Sequence, residues 1–91
     1  MKKSIRLFIS GIVQGVFFRD YVKTMANRVS VRGFVRNLED GRVEAFVEGN
    51  VDNVNAMVEI CRKGPPNGKI DGIDIKEEKF QGFKDFKVLH L

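Results

Sequence analysis

Residues 31–48, VRGFVRNLEDGRVEAFVE, hold two alternating runs on either side of an Asp-Gly pair, a pattern with few structural solutions. In residues 31 to 37, Val31, Gly33, Val35 and Asn37 fall on one face; in residues 42 to 48, Val43, Ala45 and Val47 do the same. Alternation of this kind marks half-buried strands, and LEDG between them carries a hairpin turn. Hairpin partners share a face, because a slip of one residue would turn every valine outward. Val35 therefore opposes Val43 or Ala45 rather than Glu44, the loop has an odd length, and Asn37 ends its strand on the core side.

The rest of the chain is organised around this hairpin. SIRLFIS at residues 4 to 10 alternates with Ile5, Leu7 and Ile9 inward and is predicted as a strand. Phe18, Val22, Met25, Ala26 and Val29 follow at helical spacing, which predicts a helix of about three turns beginning near Arg19. A second helix carries Val54, Met57, Val58 and Cys61, with Asn50 or Asp52 to cap it and Gly64-Pro65-Pro66 to stop it. Ile70, Ile73 and Ile75, then Phe83, Phe86 and Val88, form one long strand or two short ones divided near Gln81 and Gly82.

The resulting order is the split βαβ arrangement of an α+β, ferredoxin-like βαββαβ sandwich, an antiparallel sheet with two helices on one face. Right-handed crossover makes the first two strands parallel, with the third between them. Their carboxyl ends then share an edge, and the stretch GIVQGVFFR at residues 11–19 is expected to meet Asn37 there.

Bulk properties narrow the function classes. A chain of 91 residues, 43% hydrophobic, is expected to be one domain over 1–91. A lone cysteine excludes an internal disulfide and a cysteine-rich zinc site. The apolar run near the start is short and contains Arg6, so neither a signal peptide nor a membrane span is expected, and the cytoplasm is the expected location. The net charge of +4 would favour an anionic partner, but the acids are interspersed among the bases and the pattern reads as a solvated surface rather than a nucleic-acid footprint.

The loop at residues 11–18 joins a strand to a helix, where unpartnered N–H groups and the positive end of the helix dipole favour anions. The amides of Gly15, Val16, Phe17, Phe18 and Arg19 can converge on one phosphate, with the Arg19 guanidinium adding a bidentate contact. The glycine spacing alone fits a tight turn equally well. Arg19 also fits an ion pair with Asp20 or Glu39, and Asn37 fits a turn. Gly11 is expected to let the chain leave its strand, Gln14 and Gly15 to set the loop's shape, Cys61 to pack in the core, and His90 to be incidental.

GIVQGVFFR, followed by GFVRNLEDGRVEAFVEG at 33–49 and CRKGPP at 61–66, closely resembles the acylphosphatase family over most of the chain. The family signatures are a G-x-V-Q-G-V-x-F-R loop and a G-x-V-R-N-x-x-D-G-x-V-E hairpin. The resemblance implies hydrolysis of a carboxylic-phosphoric anhydride without metal, cofactor or covalent intermediate. It places phosphate binding on Gln14, Gly15, Val16, Phe17, Phe18 and Arg19, and orientation of the attacking water on Asn37. The implied partner is a small acyl phosphate; a monomer is the default for a chain of this size, and no nucleic-acid or membrane partner is expected. Phe17 stands where many members have glycine, and there it shapes the acyl side of the pocket.

An RNA-binding module is the alternative, because RNA-recognition motifs share this strand order and RGFV at 32–35 partly mimics one of their signatures. Phe8, Phe34 and Phe46 lie on the face opposite the helices, with Arg6, Arg32 and Arg36. Against it, RGFV lies in the second strand rather than the third, and Glu44 and Glu48 share the same face, where they are expected to pair with the arginines across the hairpin.

Overall fold

A computed structural model describes residues 1–90. The elements are β1 (Lys2–Ile12), α1 (Val16–Arg28), β2 (Arg32–Asn37), β3 (Val43–Asn50), α2 (Val51–Lys63), β4 (Lys69–Glu77) and β5 (Phe86–Leu89). Two helices pack on one face of a sheet ordered β4-β1-β3-β2-β5.

The hairpin has the expected parity: Val35 faces Ala45, Arg36 faces Glu44 and Asn37 faces Val43, which leaves residues 38 to 42 as the loop. β1 and β2 both run antiparallel to β3 and hence parallel to each other, with carboxyl ends at one edge. The final segment is two strands. β4 pairs antiparallel with β1, while β5 pairs parallel with β2 at the opposite edge, so the sheet is mixed rather than purely antiparallel.

That separation obliges residues 78 to 85 to cross the sheet, and they cross the face that the helices leave open. Glu48, itself buried, anchors the crossing by accepting the Gln81 N–H at 2.9 Å, the Phe83 N–H at 2.7 Å and the Ser4 hydroxyl at 3.0 Å. Phe83 packs against Phe34 and Phe46, with ring centroids 5.9 and 5.3 Å away. Phe46 is left 1% exposed. Only Glu44 takes the expected arginine partners, Arg6 and Arg36; Glu48 instead binds backbone, because the crossing chain brings unpaired N–H groups to it.

Helix α1 begins at Val16, three residues before the periodicity suggests. Val16 and Phe17 are exposed, so the first turn contributes nothing to the apolar stripe by which such a helix is recognised. The stripe itself is as expected, with Phe18, Val22 and Ala26 buried. So is that of α2, where Val54, Met57, Val58 and Cys61 face the sheet. Asn50 is the α2 N-cap by position, although its side chain makes no capping hydrogen bond.

Gly11 does not release the chain from β1. It sits at a register shift between Ser10 and Gly11, and pairing with β4 continues to Ile12. With φ at 137°, a Cβ there would lie 2.0 Å from the Lys69 carbonyl oxygen, so the irregularity requires glycine.

Burial pushes the Cys61 thiol from its ordinary 9.0 up to about 12. The folded protein is therefore expected to resist thiol-directed reagents until it unfolds. The unfolded chain loses this proton near pH 9.0 while the folded chain keeps it, so Cys61 lowers stability as pH rises from 9.0 toward 12. Denaturant titrations across this range should show a shallower decline in Cys61→Ala than in the parent.

Candidate active site

The site is assembled at the edge where β1 and β2 end. After Ile12 the chain buries Val13, turns through Gln14 and Gly15, and enters α1. Gly15 has φ 109°, and a Cβ there would touch nothing within 4 Å; the conformation rather than crowding selects glycine. The Arg19 N–H closes the first helical bond onto the Gly15 carbonyl at 3.5 Å. Val16, Phe17 and Phe18 precede that bond, so their N–H groups lack intrahelical acceptors. Of the five expected loop amides, that of Arg19 makes this helical contact. The first turn carries no acidic side chain to occupy the positive end of the dipole.

Arg19 is only 9% exposed. Its Nε approaches the Gly15 carbonyl at 3.5 Å, and its Nη1 lies 3.4 Å from the Leu89 carbonyl and 3.2 Å from His90 Nδ1. Neither Asp20 nor Glu39 is among these partners. Among the described residues, carbonyls and an imidazole hold the side chain in place and none of its partners is an acid.

Asn37 ends β2 on the core side. Among the described residues, its Oδ1 is the one buried side-chain polar atom without a hydrogen-bond partner. Asn37 and Arg19 line a common cleft of about 450 Å³, together with Leu38, Glu39, Leu89 and His90. The meeting of the loop region with Asn37, expected from strand direction, is present.

Two neighbours fix the relative positions. Gln14 Nε2 donates to the Leu38 carbonyl at 2.9 Å and to the Arg42 carbonyl at 3.3 Å, tying the β1–α1 loop to the hairpin loop. This suits the shape-setting role. Asp40 is committed to its own turn, accepting the Arg42 N–H at 3.0 Å and Nε at 2.9 Å, and the Arg42 hydrogen bond holds its carboxyl below the usual carboxylate range. Among the described residues no three His, Cys, Asp or Glu side chains converge as metal ligands.

A family model described as Acylphosphatase matches residues 5–88. The chain belongs to the acylphosphatase family. The acylphosphatase of Syntrophus aciditrophicus is 44% identical over 91 residues, covering 99% of this chain and 95% of that one. The acylphosphatase of Rubrobacter xylanophilus is 48% identical over 80 residues, or 88% of this chain and 73% of its own. The crystal structure of the Bacillus subtilis acylphosphatase matches with a TM-score of 0.92 at 33% identity, covering 99% of this chain and all of that one.

Within this acylphosphatase fold, His90 is a cleft residue to which the sequence reading gives no role. It lies beyond the last strand, and no periodicity or motif ties it to Arg19. Only the parallel pairing of β5 with β2 carries the end of the chain back to the site.

Proposed function

We propose that this protein hydrolyses the carboxyl–phosphate anhydride bond of acyl phosphates to carboxylate and inorganic phosphate. The phosphoryl group sits on the Val16, Phe17 and Phe18 amides beside Gly15, under the Arg19 guanidinium. Asn37 Oδ1 accepts a hydrogen bond from water and aims its oxygen at phosphorus. The water oxygen forms a bond to phosphorus as the bond from phosphorus to the acyl oxygen breaks. The electron pair leaves with the carboxylate, and the water proton passes to phosphate or solvent.

A carboxylate is a good leaving group, so positioning and charge stabilisation suffice, and neither a strong base nor a covalent intermediate is needed. The single observation that carries this reading is that Asn37 Oδ1, which has no hydrogen-bond partner among the described residues, shares a cleft with Arg19, which has no acidic partner among them. The same reading makes the protein a metal- and cofactor-independent, single-domain monomer acting on a small substrate in the cytoplasm. Against the alternative of an RNA-binding module, Phe83 of the crossing segment packs on Phe34 and Phe46, two of the three rings such a platform would use.

Benzoyl phosphate hydrolysis, followed by loss of ultraviolet absorbance, tests the proposal. Rapid turnover, unchanged by EDTA, is the expected result. Decay at the spontaneous rate in the presence of folded protein would overturn it.

A further inference from the structure

Next to the phosphate loop lies a second hollow, of about 340 Å³, lined mainly by Ile12, Gln14, Phe17, Phe18, Pro65 and Pro66. Its size falls within the roughly 300–1,000 Å³ of small-molecule sites. Phe17 is 89% exposed and Ile12 71%, an uncommon display of large apolar side chains at the mouth of a polar site.

The sheet order fixes where this hollow stands. Asn37, Leu89 and His90 approach from the β2 and β5 side of β1, whereas Pro65 and Pro66 precede β4 on the other side. Ile12 pairs with Lys69 at the start of β4, so the α2–β4 connection and the end of β1 are at the same edge of the sheet. The two clefts share no lining residue, and the loop runs between them.

In-line displacement puts the leaving group opposite the attacking water. With water on the Asn37 side, the acyl group departs toward the apolar hollow. Phe17 joins the two halves: its N–H belongs to the phosphate cradle and its ring to the hollow.

We propose that this hollow is an acyl subsite, formed chiefly by Phe17, Ile12 and Pro65, that selects acyl phosphates with aromatic or bulky apolar acyl groups over small ones. This rests on the acylphosphatase reading above, from which the test separates it. Apolar acyl groups gain contact area there and small acyl groups do not, so discrimination appears in the ratio of kcat/KM between substrates.

The experiment compares benzoyl phosphate with acetyl phosphate in the parent, Ile12→Ser and Phe17→Ala, and measures inhibition by inorganic phosphate in each. The parent should favour benzoyl phosphate, and each substitution should lower the benzoyl-to-acetyl ratio of kcat/KM by about tenfold. Ile12 lies outside the phosphate cradle, so Ile12→Ser should leave the phosphate inhibition constant unchanged. Hydrolysis of both substrates with a ratio indifferent to the substitutions would overturn the subsite and leave the acylphosphatase reading intact, assigning the exposed side chains to another role such as protein docking. Hydrolysis of neither substrate by folded protein would overturn both.

Discussion

Arg19→Ala is expected to lower kcat/KM for benzoyl phosphate by about 10³–10⁵, the range associated with an arginine that stabilises charge in phosphoryl transfer. Inhibition by inorganic phosphate should weaken with it, because in the proposed mechanism the guanidinium meets phosphoryl oxygens in the ground state and in the transition state. The structural reason is preorganisation. Arg19 is almost buried, and its Nη1 is set against the Leu89 carbonyl and His90 before any anion arrives. Little side-chain freedom then remains to be lost when substrate binds. Arg19→Lys should recover only part of the loss, since an ammonium cannot reproduce the planar bidentate contact. Circular dichroism and thermal unfolding would separate loss of binding from loss of fold. A folded Arg19→Ala protein with parental kcat/KM and parental phosphate inhibition would remove Arg19 from the site.

What sequence reveals of this molecule depends on whether a residue's role is local. Val35, Val43 and Ala45 announce both their strands and their pairing, because alternation and turn parity act between near neighbours. Strand direction is enough to bring the GIVQGVFFR stretch toward Asn37. The start of α1 at Val16 is hidden because an exposed first turn leaves no amphipathic trace. Glu48 is hidden for a different reason: its partners are backbone N–H groups of the crossing segment, and any sequence with a non-proline backbone supplies them. His90 reaches Arg19 only because β5 docks parallel to β2, a tertiary choice without a motif.

Asn37→Ala should separate turnover from both binding and stability. Turnover of benzoyl phosphate should fall by about 10²–10³, the usual effect of removing one oriented group that acts in the transition state. Inhibition by inorganic phosphate should be largely kept, because the loop amides and Arg19 remain. Stability separates this role from a structural one. Among the described residues Asn37 Oδ1 has no protein hydrogen-bond partner, so its removal breaks no protein hydrogen bond. The variant should therefore unfold close to the parent's temperature while being far less active. A residue kept only for its turn or its packing would give the reverse pattern, with stability lost and turnover unaffected. Parental turnover in Asn37→Ala would exclude the water-positioning role. A parallel loss of turnover and phosphate inhibition would instead move Asn37 into the phosphate-binding set. A large drop in unfolding temperature would show that Oδ1 has a structural partner in solution, and the orphaned acceptor would no longer support catalysis.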